Sequence, residues 1–124
     1  MAVVPTALPM LTDPTAVPCC APLASSRSLD ADDAVRLAGR LKAVADPVRL
    51  RLVTHLLGQP GYEACTCDLA PIVGVSDATV SHHLKTLMMA GILDGKRRDG
   101  MNVWYRLDPG ALADLSRILD PALG

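Results

Sequence analysis

Residues 75–108, VSDATVSHHLKTLMMAGILDGKRRDGMNVWYRLD, decide the fold. Ser76 is a side-chain cap for a helix that the pattern carries to about residue 90, where Gly91 stops it. On that helix Val80, Leu84, Leu87 and Met88 recur on one face, which must pack on a core. Ala78, Thr79, His82, Lys85 and Thr86 point the other way, and Ser81 lies on the flank. Two strands follow, at residues 92–97 and 102–107, with Asp99-Gly100 as the turn of a hairpin. Asp108-Pro109 then opens a last helix with Leu112, Leu115, Ile118 and Leu119 along one stripe.

Upstream, Asp30 or Ser28 caps a first helix, with Asp32 and Asp33 at the positive end of its dipole and Val35, Leu37, Leu41 and Val44 as its apolar positions. Asp46 caps a second helix whose first turn takes Pro47; it carries Val48, Leu50, Leu52, Val53, Leu56 and Leu57 and ends at Gly58, Pro60 and Gly61. A short third helix runs from about residue 67 to 73, and Gly74-Val75 turns it into the helix capped by Ser76. The order is four helices, a two-stranded hairpin and a fifth helix: a mainly α chain with a helix–turn–helix and a basic hairpin after it, which is a winged helix. Residues 1–28, rich in Pro, Ala, Ser and Thr, read as an arm without a core of its own, and residues 29–124 as the folded domain.

Composition narrows the function classes. The chain has 124 residues, half of them apolar, with no Phe, one Trp and two Tyr. One small aliphatic core is what this supports, and such a domain gains from oligomerisation. The formal charge is −1, but residues 76–106 carry five basic side chains (Lys85, Lys96, Arg97, Arg98, Arg106) against three acids (Asp77, Asp94, Asp99). A local patch matters more for nucleic acid than the total. No run approaches the roughly 20 apolar residues of a membrane span. The apolar N-terminus has no basic residue before Arg27 and is broken by prolines, so it lacks the form of a signal peptide. The cytoplasm is the expected location. In a reducing compartment four cysteines are ligands or redox groups sooner than a disulfide framework.

The outward face of the fourth helix is short, polar and able to hydrogen-bond, as the major groove requires. Ser76 and Thr79 stand where hydroxyls and backbone N–H groups meet a phosphate. Lys96, Arg97 and Arg98 at the wing tip neutralise backbone charge. The expected DNA-contacting set is therefore Ser76, Asp77, Ala78, Thr79, Ser81, His82, Lys85, Lys96, Arg97 and Arg98. Asp77 is discordant beside phosphate; it either accepts from a cytosine amino group or simply favours the helix dipole. His82 and His83, about 100° apart on a helix, cannot readily chelate one ion. His82 is read as a DNA contact, His83 as partly packed and His55 as structural.

ADPVRLRL (residues 45–52), SDATVSHHLK (76–85) and AGIL (90–93) resemble the second-helix signature, the recognition helix and the approach to the wing of the ArsR/SmtB family of metal-sensing repressors, across about residues 30–120. The resemblance implies a homodimer paired through the first and last helices on an operator with two-fold symmetry. The leucine stripes of those helices are consistent with that, and equally with an intramolecular core.

Cys65-Thr66-Cys67-Asp68-Leu69 enters the third helix, where the helix N-terminus favours thiolate and two sulfurs one residue apart can meet one ion. Arsenic sensors of the family often carry Cys-x-Cys-Asp-Leu-Cys there, but Ala70 replaces the last cysteine, so a three-sulfur site needs a thiol from elsewhere. Cys19 and Cys20 are the only other thiols. By resemblance to family members that bring arm cysteines onto the third helix, the expected metal set is Cys19, Cys20, Cys65 and Cys67. An adjacent pair in the arm resembles certain arsenic sensors, which favours arsenite (or antimonite) as inducer. Cys-x-Cys plus arm cysteines also resembles cadmium and lead sensors, and soft thiolates suit all these ions. The resulting expectation is a repressor that leaves DNA when it captures the ion. Its alternatives are a cadmium- or lead-sensing repressor, or a thiol redox sensor on the same scaffold. The last helix region, residues 109–124, has no His for a zinc-type site. No nucleophile–base set, phosphate-cradling loop or acid pair points to an enzyme.

Overall fold

The computed structural model describes residues 28–123. The arm's Cys19 and Cys20 lie outside them. The elements are α1 (Ala31–Val44), α2 (Pro47–Leu57), a 3-10 turn (Pro60–Tyr62), β1 (Glu63–Cys65), α3 (Thr66–Val73), α4 (Asp77–Met89), β2 (Leu93–Asp99), β3 (Asn102–Leu107), α5 (Pro109–Leu119) and a final 3-10 turn (Pro121–Leu123).

Short polar residues begin four of the helices, each satisfying backbone N–H groups that a helix start leaves open. Asp30 accepts from the Asp33 N–H at 2.8 Å, and Asp46 from those of Val48 and Arg49 at 2.9 and 3.1 Å. Ser76 accepts from Thr79 at 3.2 Å and Asp108 from Gly110 at 2.9 Å. Gly74 ends α3 in the left-handed region at φ 72°, its N–H bonded to the Ala70 carbonyl at 2.9 Å. That turn lets α4 leave at an angle to α3, which completes the helix–turn–helix.

Among the described residues the sheet has three antiparallel strands in the order β1-β3-β2, not two. β1 pairs Glu63 with Arg106, Ala64 with Tyr105 and Cys65 with Trp104. Three residues are too few to show an alternation, so the sequence pattern does not reveal this strand. The chain reaches it through consecutive left-handed residues, Gly61 (φ 65°) and Tyr62 (φ 59°). β2 and β3 form the wing, pairing Lys96 with Tyr105, Arg97 with Trp104, Arg98 with Val103 and Asp99 with Asn102, with an irregularity between Leu93 and Gly95.

The core is aliphatic and central. Leu52 and Leu56 of α2, Leu69 of α3, Val80, Leu84 and Leu87 of α4, and Ile92 are fully enclosed, with Leu107 beside them. Met88 packs partly against this cluster. Several expected core positions stay outside it: Val35 is 75% exposed, Leu119 62%, Leu50 51% and Leu57 42%. Val35 and Leu37 are two residues, about 200°, apart on the helix, so only one of them can face inward. α1 and α5 lie together, joined by Arg40 and Asp114 at 3.6 Å. No described helix is long and apolar enough to cross a membrane.

Candidate nucleic-acid interface and cysteine site

α4 buries Val80, Leu84 and Leu87 and leaves Ser76, Asp77, Ala78, Thr79, His82 and Lys85 exposed, with Ser81 at the half-buried flank. Ser76 and Thr79 are bonded to each other through their hydroxyls at 2.9 Å. Thr86 turns back onto its own helix, its hydroxyl donating to the His82 carbonyl at 3.2 Å. Between α4 and the wing runs an open cleft of about 470 Å³, lined by Ala78, Ser81, His82, Lys85, Lys96, Arg98, Val103 and Tyr105. The Lys96 ammonium stands 5.7 Å from the Tyr105 ring centroid. A cleft walled by a polar helix face and three cations suits a polyanion with readable edges.

The structure thus brings six of the ten expected contacts into one cleft and places Ser76, Asp77 and Thr79 at the start of the same helix. Arg97 is elsewhere. Side chains alternate along a strand, so Arg97 points to the opposite face of the wing from Lys96 and Arg98. There its guanidinium lies 5.0 Å from the Trp104 ring centroid and 2.6 Å from the Glu63 carboxylate. A groove of about 210 Å³ on that face is lined by Glu63, Gly95, Arg97, Trp104 and Arg106, among others.

Behind the reading helix, Arg49 of α2 holds its position. Its side chain donates to the Ala43 carbonyl, and its Nη1 lies 3.1 Å from Nδ1 of His83. His83 is half-buried by this contact, in keeping with the partial packing expected for it. Asp46 faces the same cluster. The Arg49 backbone N–H it accepts holds its carboxylate below the ordinary range, helped by the Val48 N–H and the nearby charges of Arg49 and His83 and opposed by burial. Arg51 donates to the Ile72 carbonyl at 2.7 Å, tying α2 to the end of α3. Helical spacing puts Arg51 off the core stripe of α2, whereas Arg49, three, four and seven residues before the buried Leu52, Val53 and Leu56, lies in line with it; nothing in the sequence names either residue's partner.

Cys65 is both the last residue of β1 and the cap of α3: its sulfur accepts from the Cys67 N–H at 3.3 Å. Helix α3 therefore starts at Thr66, one residue earlier than the sequence pattern indicates. The two cysteines are joined as a disulfide, Cα–Cα 5.2 Å. Cys65 is 1% exposed whereas Cys67 is exposed, with its sulfur 4.0 Å from an Asp68 carboxylate oxygen. Once reduced, the pair offers two soft donors at one point, which fits a thiophilic ion and leaves at least one coordination position to another residue. Among the described residues, no group of three or more His, Cys, Asp or Glu side chains is placed to hold a metal ion. α3 packs directly on α4, so the cysteine pair is one helix away from the reading face.

Residues 46–94 match the model of the bacterial regulatory proteins of the arsR family. The chain is 41% identical over 86 residues to the "Transcriptional repressor SmtB homolog" of Synechocystis sp., covering 69% of this chain and 62% of that one. It is 38% identical over 73 residues to the "Cadmium resistance transcriptional regulatory protein CadC" of Listeria innocua, covering 59% of each. The chain thus spans about three fifths of the length of these relatives. A solved structure described as a "Possible transcriptional regulator for arsenical resistance" is 36% identical, with a TM-score of 0.58, and the match covers 66% of this chain and 81% of that one.

Proposed function

Because the chain belongs to the arsR family of bacterial regulatory proteins, we propose that it is a dimeric, metal(loid)-responsive repressor that binds operator DNA and releases it on capturing arsenite, or antimonite, through cysteine thiolates. The observation that carries this reading is the pairing of Cys65 with Cys67 at the foot of α3, which packs on the helix presenting Ala78, Ser81, His82 and Lys85 to the cleft. In the apo dimer two α4 helices enter successive major grooves, and Lys96 and Arg98 meet the flanking phosphates. Cys19 or Cys20 completes a three-sulfur site with Cys65 and Cys67, or both complete a four-sulfur one. Pinning the arm there shifts α3, and α3 shifts α4. The ligand must then prefer the conformation that binds DNA poorly, with a typical coupling of about 1–3 kcal/mol, or roughly 5- to 150-fold in operator affinity.

The similarity to a protein named for arsenical resistance supports arsenite, and the similarity to one named for cadmium resistance favours a cadmium-sensing repressor as a second reading. The Cys65–Cys67 disulfide favours a third, in which oxidation of the pair is itself the signal. One experiment separates them. Operator affinity of the reduced protein is measured with arsenite, cadmium and peroxide, for wild type, Cys65→Ser/Cys67→Ser and Cys19→Ser/Cys20→Ser, alongside ultraviolet thiolate charge-transfer absorption. Arsenite should release wild type from DNA and leave both double variants bound. Full affinity of wild type under saturating arsenite refutes the arsenite reading.

A further inference from the structure

The three-stranded sheet places the cysteine site and the wing on one continuous row. Residues directly opposite each other in antiparallel strands share a face, with Cβ atoms about 4.5–5.5 Å apart. Cys65 is opposite Trp104, and Trp104 is opposite Arg97, so the three side chains stand in line across β1, β3 and β2. The row is closed as well as aligned. The Arg97 guanidinium lies over the indole at 5.0 Å and reaches the carboxylate of Glu63, two residues before Cys65 on the same face, at 2.6 Å. Trp104 is the middle member, and its Nε1–H is buried without a hydrogen-bond partner among the described residues.

We propose that Trp104 is the positioning residue through which Cys65 acts on the wing, by the cross-strand row Cys65–Trp104–Arg97 that the Glu63–Arg97 ion pair closes. The inference rests on the reading that Cys65 changes its bonding during sensing. Cys65 is enclosed, so its sulfur cannot turn from Cys67 to another partner without moving what packs against it, and close-packed neighbours transmit such a shift. The neighbour across the strand is the indole. Its N–H, without a partner among the described residues, is a donor that a displaced sulfur can engage, as outer-shell groups do when they orient a ligand. Beyond the indole stands the arginine flanked by Lys96 and Arg98, whose side chains leave the same strand toward the DNA cleft. A change at Cys65 therefore reaches the phosphate-facing cations through the sheet, separately from the path through α3 and α4.

The test reads Arg97 and Trp104 directly, using nitrogen-edited NMR of their Nε–H groups in the full chain. Cys65 is perturbed in two ways: arsenite added to the reduced protein, and diamide, which takes two electrons and two protons from the dithiol to form the disulfide. In wild type both Nε–H resonances are expected to shift under at least one perturbation. Trp104→Phe should retain the Arg97 shift, because it keeps an aromatic face, whereas Trp104→Leu and Glu63→Gln should abolish most of it. An Arg97 resonance unmoved in wild type under both perturbations overturns the proposal. So does an Arg97 shift as large in Trp104→Leu as in wild type. Arsenite that produces no thiolate charge-transfer band, together with a Trp104-dependent Arg97 shift under diamide, upholds the row and removes arsenite as the signal. A full band with Arg97 motionless under both perturbations does the reverse.

Discussion

The opposite orientation of neighbouring wing cations gives the proposed DNA contact a quantitative signature. Lys85, Lys96 and Arg98 face the cleft, three cations per subunit and so six in a dimer, while Arg97 faces away and is held by Glu63 and Trp104. Each phosphate neutralised contributes about 0.9 to the slope of log affinity against log salt, so these six account for a slope of about −5. Arg98→Gln removes two of them and should flatten the slope by about 1.8. Between about 50 and 200 mM salt, wild type should then lose about 12-fold more affinity than the variant from this cause alone. Arg97→Gln should flatten the slope by less than half as much, although the two residues are adjacent and carry the same charge. Fluorescence anisotropy of a labelled duplex carrying the protein's own promoter, titrated across that salt range, reads both slopes. Equal flattening by the two variants would refute the assignment of Arg98 to the DNA face and Arg97 to the other.

Two further outcomes concern how the reading helix is held. Gly74→Ala places a side chain at φ 72° with no atom within 4 Å of the new Cβ, so its cost is backbone strain alone. That strain is about 1–2 kcal/mol, and calorimetry should show a Tm about 4–8 °C lower per kcal/mol in a domain of this size; an unchanged Tm would contradict the left-handed turn. Asp46→Asn keeps a capping oxygen and removes the charge. Because the Asp46 carboxyl is held below the ordinary value of 3.8, its charge stabilises the fold fully above that pH and progressively less as pH falls through the folded value. The Tm gap between wild type and Asp46→Asn should accordingly be constant near neutrality and close in acid, and a gap independent of pH would argue against the cluster.

Much of the architecture was legible because each element declares itself by a local rule. Asp46-Pro47, Ser76 and Asp108-Pro109 place helix starts to the residue, and β3 spans the residues 102–107 that its pattern indicates. What stayed hidden depends on partners distant in sequence. β1 is defined only by its pairing with β3, and Glu63 gains its role only from Arg97, 34 residues later. Arg49 and His83 are equally far apart, and neither residue type predicts the other. The side of the wing on which Arg97 lies was available from the two-residue period of a strand. Grouping Lys96, Arg97 and Arg98 as one basic tip overlooks it, because a charge count has no direction. Trp104 gives the same lesson: its composition value is one aromatic in a chain with few, whereas its register places it between a thiol and a cation.

The unequal exposure of the two α3 cysteines sets an order of events for any visitor to the reduced site. Cys67 is open to water while Cys65 lies beneath it, so an electrophile or ion arriving from bulk meets the outer thiol first and is handed inward. Capture should thus proceed in two kinetic stages, a fast encounter governed by concentration and a slower transfer governed by how often the protein loosens around the inner sulfur. A bulky alkylating reagent would label one cysteine of the pair and stall before the other.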